Sequence, residues 1–218
     1  MSGINKSLIL HGGLIALLLV LGFVLPPYHH GNLARVMVLA VYAMGYNVLF
    51  GYTGLLSLGH AMFFAAGMYG MGLSIQHLGF SAEAALLSGI VAAFVLSTVV
   101  GLLALRTTGV AFMIVTLMFA QTGYLVILYF GEWTRGDEGF VIQKASRVIA
   151  GFDVSDPANR YMAALILFAI CLALILKLVQ NPFGKVLIAI RENEDRARML
   201  GYDIFRHKLV AVVVSGTI

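Results

Sequence analysis

Long apolar runs broken by short polar segments set the pattern of the whole chain. A helix needs about 20 residues to cross a hydrocarbon layer. Runs of that order are predicted as spans over 8–25, 34–50, 57–77, 83–105, 109–131 and 157–179, the second being short. A seventh begins near residue 204 and is still running at Ile218, so the sequence reads as part of a longer polypeptide. The breaks have physical causes. Pro26-Pro27 removes two backbone donors and ends the first helix. Ser81 is placed to cap the fourth span, with Glu83 in its first turn where the dipole favours a carboxylate. Asp156 is the N-cap of the sixth, with Pro157 at its first position. Asn181 before Pro182 is pushed out of the helical region and closes it. The fold class is therefore all-α, a polytopic bundle of about six spans and the start of a seventh.

Composition agrees with a membrane solvent. Of 218 residues, 61% are hydrophobic and only 11% charged, and mean hydropathy is +0.95. Soluble domains are about half apolar and a quarter charged. The first run is long for a signal peptide, and "PPYHH" offers no small-residue cleavage site, so it reads as a span. The net charge of +4 does not imply nucleic acid, because Lys and Arg lie between the apolar runs rather than among stacking aromatics. Cys171 is the single cysteine and sits in an apolar run. No intramolecular disulfide is possible, and no metal-ligand spacing or cofactor motif is present.

Those cations orient the chain. With a cytoplasmic N-terminus, Lys6, Arg106, Lys177, Lys185, Arg191, Arg196, Arg198, Arg206 and Lys208 fall inside, and Arg35, Arg135, Lys144, Arg147 and Arg160 outside. This is the expected positive-inside bias. Residues 132–159 become an extracytoplasmic loop whose partly apolar stretch, "GFVIQKASRVIAGF", is expected to hold a short helix lying on the membrane or a partner. Residues 181–206 become a cytoplasmic loop.

No Asp, Glu, Lys or Arg occurs from Val36 to Ala82. At its centre is "GYTGLLSLGHAMFFAAGMYG", Gly51 to Gly70. A turn here without Lys or Arg suggests a helix break within the membrane, which is tolerated where it lines a cavity or is buried in protein. Transporters use such breaks to meet substrate. Gly51, Gly54 and Gly59 are expected to supply permissive dihedrals, and Asn47, Thr53, Ser57 and His60 the donors and acceptors. Gln121, mid-span in the fifth helix, joins them as a candidate pathway residue. The plain alternative is a neutral turn, with small residues at Ala61/Ala65 and Ala66/Gly70 for close helix packing. Ser57 and His60 are also spaced i, i+3, which would suit an intramembrane serine hydrolase, but an oxyanion hole and partners from other helices are not evident. "FGKV" lacks the first glycine and the Ser/Thr of a phosphate-binding loop, so any ATP is handled by another chain.

"NPFGKVLIAIRENEDRARMLGYDIFRHK", Asn181 to Lys208, reads as one or two short helices ending at Gly201 as a C′ residue. Glu192 with Arg196 and Glu194 with Arg198 are i, i+4 pairs. Ile190, Ala197 and Leu200 would form an apolar side, and Asp203 would cap the next span. Within it, "DRARMLG", Asp195 to Gly201, resembles the EAA loop of ABC importer permeases, with Asp195 in place of Glu and Arg196 in place of the first Ala. The longer loop, the segment Gly51 to Gly70 and "GVAFMIVTLMFAQ", Gly109 to Gln121, resemble the branched-chain amino acid ABC transporter permeases from about Tyr42 to Ile218.

That resemblance implies a single permease domain over 1–218, incomplete at its C-terminus, in a bacterial inner membrane. It implies two cytoplasmic ATP-binding subunits, a second and different permease subunit, and an extracytoplasmic substrate-binding protein. The loop 185–206 would be the coupling helix, with Arg191, Glu194, Asp195, Arg196 and Gly201 as coupling residues. The charged "EWTRGDEGF", Glu132 to Phe140, departs from the family pattern. Relatives that carry urea or other small polar solutes therefore stay open. An ion-coupled secondary transporter is the other class. Most such designs need a membrane-embedded charge, and Val36 to Ala82 has none.

Overall fold

A computed structural model describes residues 2–142, 147–149 and 151–218, with side chains from residue 9 onward. The long helices are α1 (Ser2–Val24), α2 (Pro27–Thr53), α3 (Ala61–Leu78), α4 (Ala82–Ala104), α5 (Val110–Tyr129) and α7 (Pro157–Gln180). Between α5 and α7 come α6 (Gly131–Thr134), a 3-10 turn over Gly136–Glu138, and strands β1 (Val148–Ile149) and β2 (Phe152–Asp153). The loop that follows α7 holds α8 (Pro182–Glu192) and α9 (Glu194–Met199), and α10 (Ile204–Thr217) closes the described chain. Among the described residues, four helices, α2, α4, α5 and α7, are long and apolar enough to cross a membrane. The protein is an all-α, multi-pass membrane chain.

The predicted caps form. Ser81 accepts from the Ala84 N–H, Asp156 from Asn159, and Asp203 from Arg206. Neighbouring helices form a row by contact: α1 lies on α7, α7 on α2, α2 on α10, α10 on α4, and α4 on α3. One core joins Ala34, Met37 and Val41 of α2 to Tyr161, Leu165, Phe168 and Leu172 of α7. A second gathers Leu49, Leu55, Phe63, Val100, Phe112 and Val212, so it takes side chains from α2, α3, α4, α5 and α10. The α3–α4 seam is made of small residues. A Cβ on Gly89 would fall 2.7 Å from the Gly67 carbonyl, and one on Gly70 2.7 Å from the Ala92 Cβ. Ser74 and Ser88 hydroxyls meet across it at 2.7 Å.

Several expectations change. The second helix is not short. It starts at Pro27, because a proline fits the first helical position, and it runs 27 residues, roughly 40 Å at about 1.5 Å per residue. Within the extracytoplasmic stretch, Val148–Ile149 pairs antiparallel with Phe152–Asp153 about Gly151, whose φ is +82°. Residues 148–153 thus form a hairpin, as β-branched and aromatic residues around a left-handed glycine favour, while residues 143–146 and 150 of the segment expected to hold a helix lie outside the described residues. Lys144, and the side chain of Lys6, lie outside the described residues. Asn193 is extended and divides α8 from α9, so Glu192 and Arg196 belong to different helices. Among the described residues Glu192 pairs with Arg191, Asp195 with Arg198, and Glu194 with Lys208 of α10. Ile190 and Ala197 are buried, but Leu200 is 70% exposed.

Candidate functional site

The segment Gly54 to His60 connects α2 to α3 and collects the polar groups of an otherwise apolar region. Helix α2 stops at Gly54, which takes the left-handed conformation (φ +73°) and returns its N–H to the Phe50 carbonyl at 3.1 Å. This is the position that needs glycine for its dihedral. Gly51 is helical, and Gly59 is required for contact. A Cβ on Gly59 would lie 1.9 Å from the Thr116 carbonyl of α5. The side chain of Thr53 bonds back to Leu49 O at 2.5 Å and accepts from the Leu55 N–H at 3.3 Å, so it serves the turn itself. Tyr46 donates its hydroxyl to the Ser57 carbonyl at 3.2 Å.

His60 is buried among the rings of Tyr42, Tyr46 and Phe63, with centroids 4.9–5.5 Å away. Its Nε2 is 3.3 Å from the Ser215 hydroxyl, which itself donates to the Gly45 carbonyl at 2.6 Å. A hydroxyl has one proton. With that proton on Gly45, the Ser215 oxygen accepts, and His60 donates from Nε2. His60 Nδ1 then carries a lone pair, and among the described residues it is buried without a partner, as is the Ser57 hydroxyl. Ser57 and His60 make no hydrogen bond to each other, which removes the geometric basis for a hydrolase dyad.

His60 lines a cavity of about 240 Å³. Tyr42, Ser215 and Thr217 contribute hydroxyl-bearing wall, and the rest is apolar, including Val38, Phe64, Met68, Leu86, Ile90 and Leu167. No Asp, Glu, Lys or Arg lines it. Its size is just below the range of about 300–1,000 Å³ typical of drug-sized sites and suits a small metabolite. The predicted pathway residues divide. Thr53, Ser57 and His60 are buried together at the turn, while Asn47 lies on the exposed side of α2 and Gln121 on the exposed side of α5. Sequence reasoning missed Tyr42 and Ser215. Ser215 was visible as the first hydroxyl in the aliphatic run "LVAVVVS", at the end of α10.

The loop residues lie below the turn and have different environments. Arg191, at the end of α8, donates from Nη1 to the Gly51 carbonyl at 2.6 Å and from Nη2 to Glu192 at 2.8 Å. Glu194 turns inward to Lys208, whose side chain is 8% exposed. Asp195 and Arg196 are exposed. Gly201 follows α9 with φ +88°. Its N–H reaches Arg198 O at 2.9 Å, and the Tyr202 N–H reaches Ala197 O at 3.2 Å, the two bonds of a Schellman motif. Met199, 86% exposed, and Leu200 project from the loop beside these polar residues.

Comparison with known proteins bears on the whole of this region. Residues 30–218 match the family model described as "Branched-chain amino acid transport system / permease component". Two curated relatives, from Salmonella typhimurium and Escherichia coli, are each named high-affinity branched-chain amino acid transport system permease protein LivM. Each is 30% identical to this chain over an alignment covering 82% of it and 47% of the relative. The chain thus spans about half the length of the curated relatives it matches. No solved structure matches it.

Proposed function

Because the chain belongs to the branched-chain amino acid permease family, which makes it a transporter component and not an enzyme, we propose that it is a permease subunit of an ATP-driven importer in a bacterial inner membrane. The substrates are leucine, isoleucine, valine or related amino acids. The observation that carries this reading is the family match, which runs unbroken through both the glycine-rich turn and the cytoplasmic loop. The cavity fits it. An aliphatic side chain would lie against Val38, Met68, Leu86 and Ile90. The turn at Gly54 to Gly59 would sit at membrane depth, with Thr53, Ser57 and His60 on the pathway and Asn47 and Gln121 meeting it only in the complete assembly.

In this reading an extracytoplasmic binding protein delivers the amino acid, and this subunit pairs with a second permease. Two cytoplasmic subunits bind ATP. Asp195, Arg196, Met199 and Leu200 would enter the ATPase surface, Gly201 would fix the end of that helix, and Arg191 and Glu194 would hold the loop to the bundle. Nucleotide-driven closure would then give alternating access. The charge-free cavity wall favours this mechanism over an ion-coupled carrier, and its predominantly apolar lining favours a branched aliphatic solute over urea.

The test is uptake of radiolabelled leucine into proteoliposomes holding the full-length protein, its partner permease, the ATPase subunits and binding protein. Uptake is expected only with ATP on the ATPase side. Uptake that persists without ATP and collapses with an ionophore would overturn the proposal.

A further inference from the structure

The geometry points to Arg191 as a positioning residue that transmits movement of the cytoplasmic loop to the glycine-rich turn, by capping the C-terminus of α2, rather than as a contact to the ATPase. This inference rests on the importer reading above. It begins with helix chemistry. The last four carbonyls of a helix lack partners within it, and that end carries partial negative charge that favours a cation. In α2, the Gly51 carbonyl is one of these. The Gly54 N–H goes to Phe50 instead. The group that reaches Gly51 comes from 140 positions away: Arg191 Nη1, at 2.6 Å.

The contact is more than one bond. A Cβ added to Gly54 would meet Arg191 Cγ at 3.0 Å, so the aliphatic stem lies on the residue where α2 reverses. Nη2 is held by Glu192 at 2.8 Å, which fixes the plane of the guanidinium. The helix carrying Arg191 is anchored beneath it, with Leu187 and Ile190 each 1% exposed. From Gly54 the chain runs directly through Ser57 and Gly59 to His60 and the cavity wall. Helix α8 packs directly on α2, and Arg191 is the charged link between them, so a displacement of α8 acts on the end of α2 and on the turn. The Gly51 carbonyl is available to it because α2 ends two residues later, at Thr53.

The experiment uses the complete complex. A Leu58→Cys label reports on the turn, since Leu58 is 52% exposed, in a background in which Cys171 and every other cysteine of the complex are replaced by alanine or serine. Label mobility and leucine uptake per ATP hydrolysed are compared among wild type, Arg191→Gln and Arg191→Lys. In Arg191→Gln the ATPase subunits are expected to copurify, the ATP-dependent change at position 58 to be lost, and the uptake-to-hydrolysis ratio to fall about tenfold, in keeping with loss of one charge-assisted hydrogen bond. Arg191→Lys keeps the charge without the planar fork and is expected to lie between the two. A Gln variant with the wild-type label response and ratio overturns the inference. So does one that no longer holds the ATPase subunits, which would make Arg191 a docking contact. If the Gln variant does not fold or insert at all, Arg191→Lys decides, and a wild-type ratio there overturns the inference as well. A wild-type complex whose label responds to ATP but which takes up no leucine would instead count against the substrate proposal alone.

Discussion

The direction of the Ser215 hydrogen bond fixes what His60 can offer. With Nε2 spent as a donor, the ring keeps a single acceptor, Nδ1, which is enclosed in the protein. Replacing His60 with Phe keeps the ring packing among Tyr42, Tyr46 and Phe63 and leaves Ser215 bonded to Gly45. The protein should fold, and leucine uptake should fall about tenfold, because the His60–Ser215 hydrogen bond that sets this part of the cavity wall is lost. Uptake at wild-type level in reconstituted vesicles would remove His60 from the pathway. The pair Glu194 and Lys208 makes a second residue-scale case. Lys208 is nearly buried and Glu194 is 43% exposed at its side chain. Glu194→Gln leaves the ammonium without its counter-charge, and should cost about 1–2 kcal/mol after allowance for solvent at Glu194. The double variant Glu194→Leu with Lys208→Met should recover most of that loss, as apolar replacement of an ion pair often does. Unfolding midpoints in detergent would measure both.

At the scale of elements, α9 depends on its last turn. Gly201 has φ +88°, where a β-branched residue is strained. Gly201→Val should leave membrane insertion intact and reduce copurification of the ATPase subunits, while Gly201→Asn, which tolerates that region better, should retain most of it. Equal copurification by both variants and wild type would show that the end of α9 does not matter for docking. The turn between α2 and α3 depends on a different glycine property. Gly59 lets backbone meet backbone at Thr116, so Gly59→Ala should push α5 away from the turn and lower the unfolding midpoint. An Ala variant as stable as wild type would contradict the contact. Helix α5 has little else to hold it, with 11% of its apolar window buried.

Across the whole molecule, what could be read in the sequence divides along physical lines. Helix ends were legible where a local rule decides them, at Ser81, Asp156, Asn181, Gly201 and Asp203. The all-α membrane class followed from hydropathy alone. The pairing of the loop was not legible. Glu192 with Arg196 presumed a helix running through residue 193, and the extended backbone at Asn193 divides it; Glu194 and Arg198 do share α9, but Glu194 pairs with Lys208 of α10. The site was half legible. Ser57 and His60 stood out as polar residues in an uncharged run. Their real neighbours, Tyr42 and Ser215, come from α2 and α10, and no local spacing brings those helices together. Asn47 and Gln121 were chosen for polarity alone, and side-chain direction around a helix put both on exposed faces.

The packing of α1 sets a timetable. It contacts α7, where Tyr161 reaches the Leu18 carbonyl and its ring fills the space beside Gly22. On the ribosome, α1 is complete at residue 24, and α7 begins only at residue 157. At about 5–20 residues per second, α1 spends roughly 7–27 seconds, and the α7-facing side of α2 roughly 5–21 seconds, in the lipid before α7 begins to be made. The α3–α4 seam closes almost as soon as its second helix emerges. Among the described helices, packing therefore begins at the α3–α4 end of the row, and α10, which joins α4 to α2, is added last. A lesion at Tyr161 would be felt first as a longer exposure of α1 and α2 to membrane proteases and only secondarily as a loss of transport.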